Sequence, residues 1–84
     1  MREREIEAHY KKLVEQAGGM FIKFISPSLN GVPDRIVLLP NGKIYFVEFK
    51  APNKKPRPLQ VHIINKIREL GCEVKVIDRK VDEL

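Results

Sequence analysis

Residues 31–50 read GVPDRIVLLPNGKIYFVEFK. Two apolar runs, 34–39 and 43–50, flank Pro40-Asn41-Gly42. Both runs are rich in β-branched and aromatic residues, which suit a pleated, half-buried surface. Asn-Gly tolerates positive φ and marks a tight turn. The stretch is therefore predicted to be an antiparallel hairpin. Its open end carries Asp34 on one strand and Glu48 and Lys50 on the other. Side chains alternate along a strand, so Glu48 and Lys50 share one face with Ile44 and Phe46. Tyr45, Val47 and Phe49 take the other.

The turn leaves two registers open. Centred between Asn41 and Gly42, it sets Arg35 opposite Glu48 and turns Asp34 to the wrong face. Centred on Asn41, it sets Asp34 directly opposite Glu48. A one-residue slip flips every side chain, so a shared Asp-Glu site requires the second register or a bulge.

Outward from the hairpin, residues 20–25 (MFIKFI) read as a further strand. The loop SPSLNGVP (26–33) separates it from the hairpin. Upstream, Ile6, Tyr10, Leu13, Val14 and Ala17 recur at helical spacing and predict a helix over 3–17, stopped by Gly18-Gly19. Downstream, APNKKPRP (51–58) is a basic, proline-rich loop. Pro58 suits the first position of a helix over 58–70, whose apolar face is Leu59, Ile63, Ile64, Ile67 and Leu70. Gly71 ends it, and EVKVI (73–77) alternates as a last strand. Cys72 is expected to be packed at the start of that strand. The order α-β-β-β-α-β, with a helix connecting the last two strands, predicts an α/β fold: a mixed sheet flanked by helices.

Bulk properties narrow the function. A chain of 84 residues is one domain at most. Its core is small enough that pairing with a second copy is expected to help. Net charge is +5 at pH 7, which attracts polyanions, nucleic acid above all. A single cysteine excludes an intrachain disulfide and a multi-cysteine zinc site. No apolar run suits a signal peptide or a membrane span, so a cytoplasmic protein without membrane contact is expected.

Two close carboxylates repel and favour a hard divalent cation between them. Such a cation polarises a phosphate oxygen and makes bound water more acidic. Lys50 can then orient the attacking water or offset charge on the phosphate. The Phe49 backbone carbonyl, between the two, offers a further oxygen. Lys54, Lys55 and Arg57 follow directly and are expected to hold the DNA backbone. Arg35 should point away from Asp34 and is given no role. His62 is read as a surface residue.

Pro33-Asp34…Glu48-Phe49-Lys50 resembles the PD-(D/E)xK motif of restriction-endonuclease-like nucleases. The wider stretch SPSLNGVPDRIVLLPNGKIYFVEFKAPNKKPRPLQ, followed by a helix and LG-x-x-VKVID, resembles the virus-type replication-repair nuclease (VRR-NUC) family, in its stand-alone phage and bacterial form. That resemblance implies a restriction-endonuclease-like core and an Mg2+ or Mn2+ cofactor. It implies a structure-selective DNA endonuclease acting on branched DNA such as four-way (Holliday) junctions in replication, repair or recombination. It also implies a catalytic, metal-binding glutamate from the first helix, with Glu7 preferred over Glu3, and a catalytic-site glutamine, Gln60, that can contact the phosphate or Lys50. Ser26 and Ser28, in the loop before Asp34, could donate hydrogen bonds to phosphate. A homodimer is expected, since a symmetric junction needs two related cuts. An apolar patch with Phe21, Phe24 or Leu29 is the expected contact. The alternatives are a non-catalytic nucleic-acid-binding module and a nuclease acting on RNA or on DNA ends.

Overall fold

The computed structural model describes residues 1–84. Seven elements follow one another: α1 (Glu3–Gln16), β1 (Met20–Lys23), β2 (Arg35–Leu39), a 3-10 turn (Pro40–Gly42), β3 (Lys43–Phe49), α2 (Pro58–Glu69) and β4 (Val74–Ile77). The expected α/β order therefore holds, with the 40–42 turn as a single 3-10 turn. The sheet runs β1-β2-β3-β4. The first two pairings are antiparallel and β3–β4 is parallel, so the sheet is mixed.

Alternation divides β3 between two environments. Tyr45, Val47 and Phe49 join Val37 and Ile77 under Ile6, Tyr10 and Val14 of α1, forming one buried cluster. Burying this much apolar side chain is what fixes α1 to the sheet. Inside the cluster the Tyr10 and Tyr45 hydroxyls satisfy one another at 2.5 Å. Val81 and Leu84 of the tail pack against the same cluster, and the Val81 carbonyl lies 2.9 Å from His9 Nε2. The opposite face carries Glu48. The Gln60 side chain bonds to it, which places α2 on that side. Ile63, Ile64 and Val74 are buried there.

One packing expectation fails. Cys72 is exposed, because β4 starts only at Val74 and Cys72 lies in the turn that leaves α2. Its N–H still bonds to the Ile67 carbonyl. Phe21 and Phe24 are half-buried and stack within the molecule, on Phe49 and Phe46 respectively. Leu29 alone of the three is exposed. Ile25, in the same loop, is exposed too, and a further apolar row crosses the sheet. Met20, Leu38 and Ile44 are consecutive partners across β1, β2 and β3, on the Glu48 side, with Met20 and Ile44 exposed.

Candidate active site

The hairpin is centred on Asn41. Leu39 pairs with Lys43, Val37 with Tyr45 and Arg35 with Val47. The next step of that ladder sets Asp34 opposite Glu48. Asn41 adopts φ 71° and Gly42 φ 77°, so two consecutive residues take the left-handed conformation that Asn and Gly bear most cheaply. With Pro40 also in the loop, unable to donate to a ladder, the connection is three residues long, and that length sets the register that a shared acidic site needs. On its other side the Asp34 carbonyl accepts the Phe24 N–H at 2.8 Å. The aspartate is thus held in the middle of the sheet's end, just before β2 begins.

Glu48 is 6% exposed. Its Oε2 accepts from Gln60 Nε2 at 3.1 Å and lies 3.4 Å from Lys50 Nζ. Burial pushes its carboxyl above the usual carboxylate range, and the negative charge of Asp34 pushes the same way. Lys50 opposes both, through charge and a hydrogen bond, and Glu3 adds a smaller upward push. Gln60 is itself fixed, because its Oε1 accepts the Arg57 N–H at 2.9 Å. The amide can therefore only present its NH2 to Glu48. Lys50 is anchored where β3 leaves the sheet, its N–H bonded to the Ile77 carbonyl at 2.9 Å.

The Phe49 carbonyl has no ladder donor opposite it. Phe46 and Lys50 turn their N–H groups toward β4, so Phe49 turns its backbone toward β2. The residue it would face there is Pro33, which has no N–H. The proline before Asp34 thus leaves a carbonyl oxygen free beside Glu48.

Of the two helix α1 candidates, Glu3 bears on Glu48 through its charge, while Glu7 is paired with Arg35. Glu7 Oε1 lies 3.0 Å from Arg35 Nη2. Arg35 Nη1 lies 3.3 Å from Asp34 Oδ2 and donates to the Asp34 carbonyl at 3.0 Å. Arg35 does start on the α1 face, partnering Val47, as alternation requires. Its side chain is long enough to reach back to Asp34, so it belongs to the site.

Lys54, Lys55 and Arg57 are exposed and form no ion pair, on the loop that follows Lys50. Ser26 is half-buried and Ser28 exposed, and neither side chain makes a hydrogen bond. His62 is exposed, as expected. A cavity of about 760 Å3 lies against the tail among Tyr10, Lys75, Val81 and Leu84 and includes none of these residues. A smaller cavity, about 470 Å3, lies beside the start of α2, with Asn30, Gly31, Arg57 and Gln60 in its lining.

No three carboxylate, imidazole or thiol groups converge to form a closed metal cage. The donors nevertheless fit a hard cation. All are oxygens, one carboxylate is buried against the charge of another, and a carbonyl is free beside them. Mg2+ characteristically takes one or two carboxylates and fills its remaining positions with water and substrate phosphate.

The sequence profile described as "VRR-NUC domain" matches residues 3–80. A protein named "Putative nuclease p44", from Acyrthosiphon pisum secondary endosymbiont phage 1, is 50% identical over 78 residues, covering 93% of this chain and 84% of its own. A solved structure titled "VRR_NUC domain" superposes with a TM-score of 0.84 at 35% identity, over 90% of this chain and 83% of that one. With this fold and a family model spanning residues 3–80, the chain belongs to the VRR-NUC domain family.

Proposed function

We propose that this VRR-NUC domain is a nuclease that hydrolyses DNA phosphodiester bonds with Mg2+ or Mn2+, acting on branched DNA such as four-way junctions. The observation that carries this reading is the buried Glu48 carboxylate, set across the hairpin from Asp34 and 3.4 Å from Lys50. Asp34, Glu48 and the Phe49 carbonyl would hold the ion. When bound, it supplies Lewis-acid polarisation of the phosphate and a more acidic water. Lys50, tethered by Glu48, points its ammonium at the water or the phosphate, where it offsets negative charge as the P–O bond breaks. Gln60 holds the Glu48 carboxylate in one orientation. Glu7 is the first-helix carboxylate of the set, linked to Asp34 through the Arg35 guanidinium. Lys54, Lys55 and Arg57, with Ser26 of the loop before Asp34, line the approach of the DNA backbone.

The active form is a homodimer, which supplies the two symmetric cuts that a junction needs. The apolar row of Met20, Leu38 and Ile44, exposed at Met20 and Ile44, supports pairing through that sheet face. Ile44→Glu should then halve the mass read by light scattering without unfolding the chain. An unchanged mass would remove this face from the dimer.

A substrate panel tests the activity. Labelled four-way junction, flap, linear duplex, single-stranded DNA and RNA are incubated with Mn2+, Mg2+ or EDTA. Metal-dependent paired nicks in the junction, with the linear duplex spared, are expected. Trimming from DNA ends, or preference for RNA, would replace the branched-DNA reading. Binding to every substrate without cutting would leave a nucleic-acid-binding module.

A further inference from the structure

Arg35 occupies a position that its place in the sequence does not suggest. It leaves β2 on the α1 side, yet its guanidinium forks between two carboxylates from different elements. Nη2 takes Glu7 Oε1 at 3.0 Å and Nη1 takes Asp34 Oδ2 at 3.3 Å. Nη1 also donates to the Asp34 backbone carbonyl at 3.0 Å. The Arg35 side chain is only 15% exposed, while that of Asp34 is 54% exposed. A mostly buried, planar fork is thus holding a mostly exposed acid against its own backbone.

We propose that Arg35 is a positioning residue: it fixes the rotamer of Asp34 and ties it to helix α1, so that Asp34 is presented to the cation with one oxygen already engaged and the other free. This rests on the metal-dependent reading of the site. Arginine suits the task because its five donors lie in a fixed plane and can serve two acids at once, which a lysine ammonium cannot do with the same geometry. Asp34 lies just before β2, after a loop of Ser, Pro, Asn and Gly. No other side chain holds its carboxylate. Without Arg35 it would turn freely about χ1. With Arg35 the acid is ordered before any ion arrives, and outer partners of this kind set ligand orientation in metal sites generally.

Charge and positioning make opposite predictions, which renders the idea testable. A guanidinium near a metal site repels the cation, so charge alone predicts that removing Arg35 tightens metal binding. Positioning predicts that it weakens. Arg35→Gln and Arg35→Lys are prepared beside the wild type, with circular dichroism confirming that each is folded. Mn2+ affinity is read by calorimetry. In the metal-free proteins, the χ1 couplings of Asp34 are read by NMR. The expected result is a single Asp34 rotamer in the wild type and averaged couplings in both variants. Mn2+ affinity should fall roughly 10-fold or more in both, because lysine keeps the charge but not the fork. Unchanged or tighter Mn2+ binding in Arg35→Gln would overturn the proposal. So would an Asp34 already averaged in the wild type, or one still ordered in the variants. A wild type that binds no Mn2+ would defeat the metal-dependent reading, and the NMR arm would still decide whether Arg35 orders Asp34.

Discussion

Glu48 shows most plainly how a residue's surroundings constrain it. A carboxylate 6% exposed is costly when ionised unless it is paired, and here one lysine and one amide must suffice. Its folded carboxyl titrates above the usual range, chiefly through burial. Well below that range Glu48 is neutral in both folded and unfolded chains and has no effect on stability. As pH rises, the unfolded chain releases its proton first, so folding is progressively disfavoured until the folded carboxyl has ionised too. Glu48→Gln should therefore be more stable than the wild type at neutral pH in EDTA, with the gap closing in acid. Thermal melts across pH would read this, and a gap that widened in acid would contradict it. Saturating Mn2+ should close the neutral-pH gap from the other side, by stabilising the wild type alone. The Tyr10–Tyr45 pair makes a second residue-scale case. Tyr10→Phe leaves the Tyr45 hydroxyl buried without its partner and should cost about 1–3 kcal/mol in urea unfolding. Tyr10→Phe with Tyr45→Phe should cost less than the two single changes added together. Arg35 marks the limit of sequence reading at this scale. Strand alternation gives the direction in which a side chain leaves, but not where a long, flexible arginine ends.

The elements were legible from periodicity and turn residues, and the site depends on them in one respect. Asp34 and Glu48 meet only because the hairpin is centred on Asn41. Sequence left that choice open, since Asn-Gly serves two-residue turns as well. The choice is made by Pro40, which has no N–H to give a ladder and stays in the loop, so that the loop is three residues long, 40–42. Asn41→Val places a β-branched side chain at φ 71° and should cost about 1–2 kcal/mol, whereas Asn41→Gly should be nearly neutral. Equal stability of the two variants would show that the turn adapts and does not hold the register. The exposure of Cys72 was not legible for a related reason. A strand's first residue is the hardest to place from pattern, and a shift of β4's start to Val74 moves Cys72 from packing to turn. Helix α1 is held by Ile6, Tyr10 and Val14. Ile6→Ala should cost about 2–5 kcal/mol, a large share of what a chain this small can have.

At the scale of the whole molecule, charge favours a polyanion. The Asp34–Glu48 end of the sheet is followed by exposed, unpaired cations on the loop after Lys50, and the net charge is +5. Neutralising Lys54, Lys55 and Arg57 together should lower the salt-dependence slope of DNA binding by about 2–3, if each contacts one phosphate. It should weaken binding to all DNA shapes alike, since such contacts carry no sequence information. No helix is long and apolar enough to cross a membrane. Family membership and fold were readable from the motif and the element order.

The most direct test of the central claim is the rate of junction cutting in Mn2+ by the wild type, Glu48→Ala and Lys50→Ala, with folding of each verified. The proposed site predicts metal-dependent cutting by the wild type and losses of roughly 100-fold or more in both variants. Cutting that survives in EDTA, or in either variant at the wild-type rate, would contradict it.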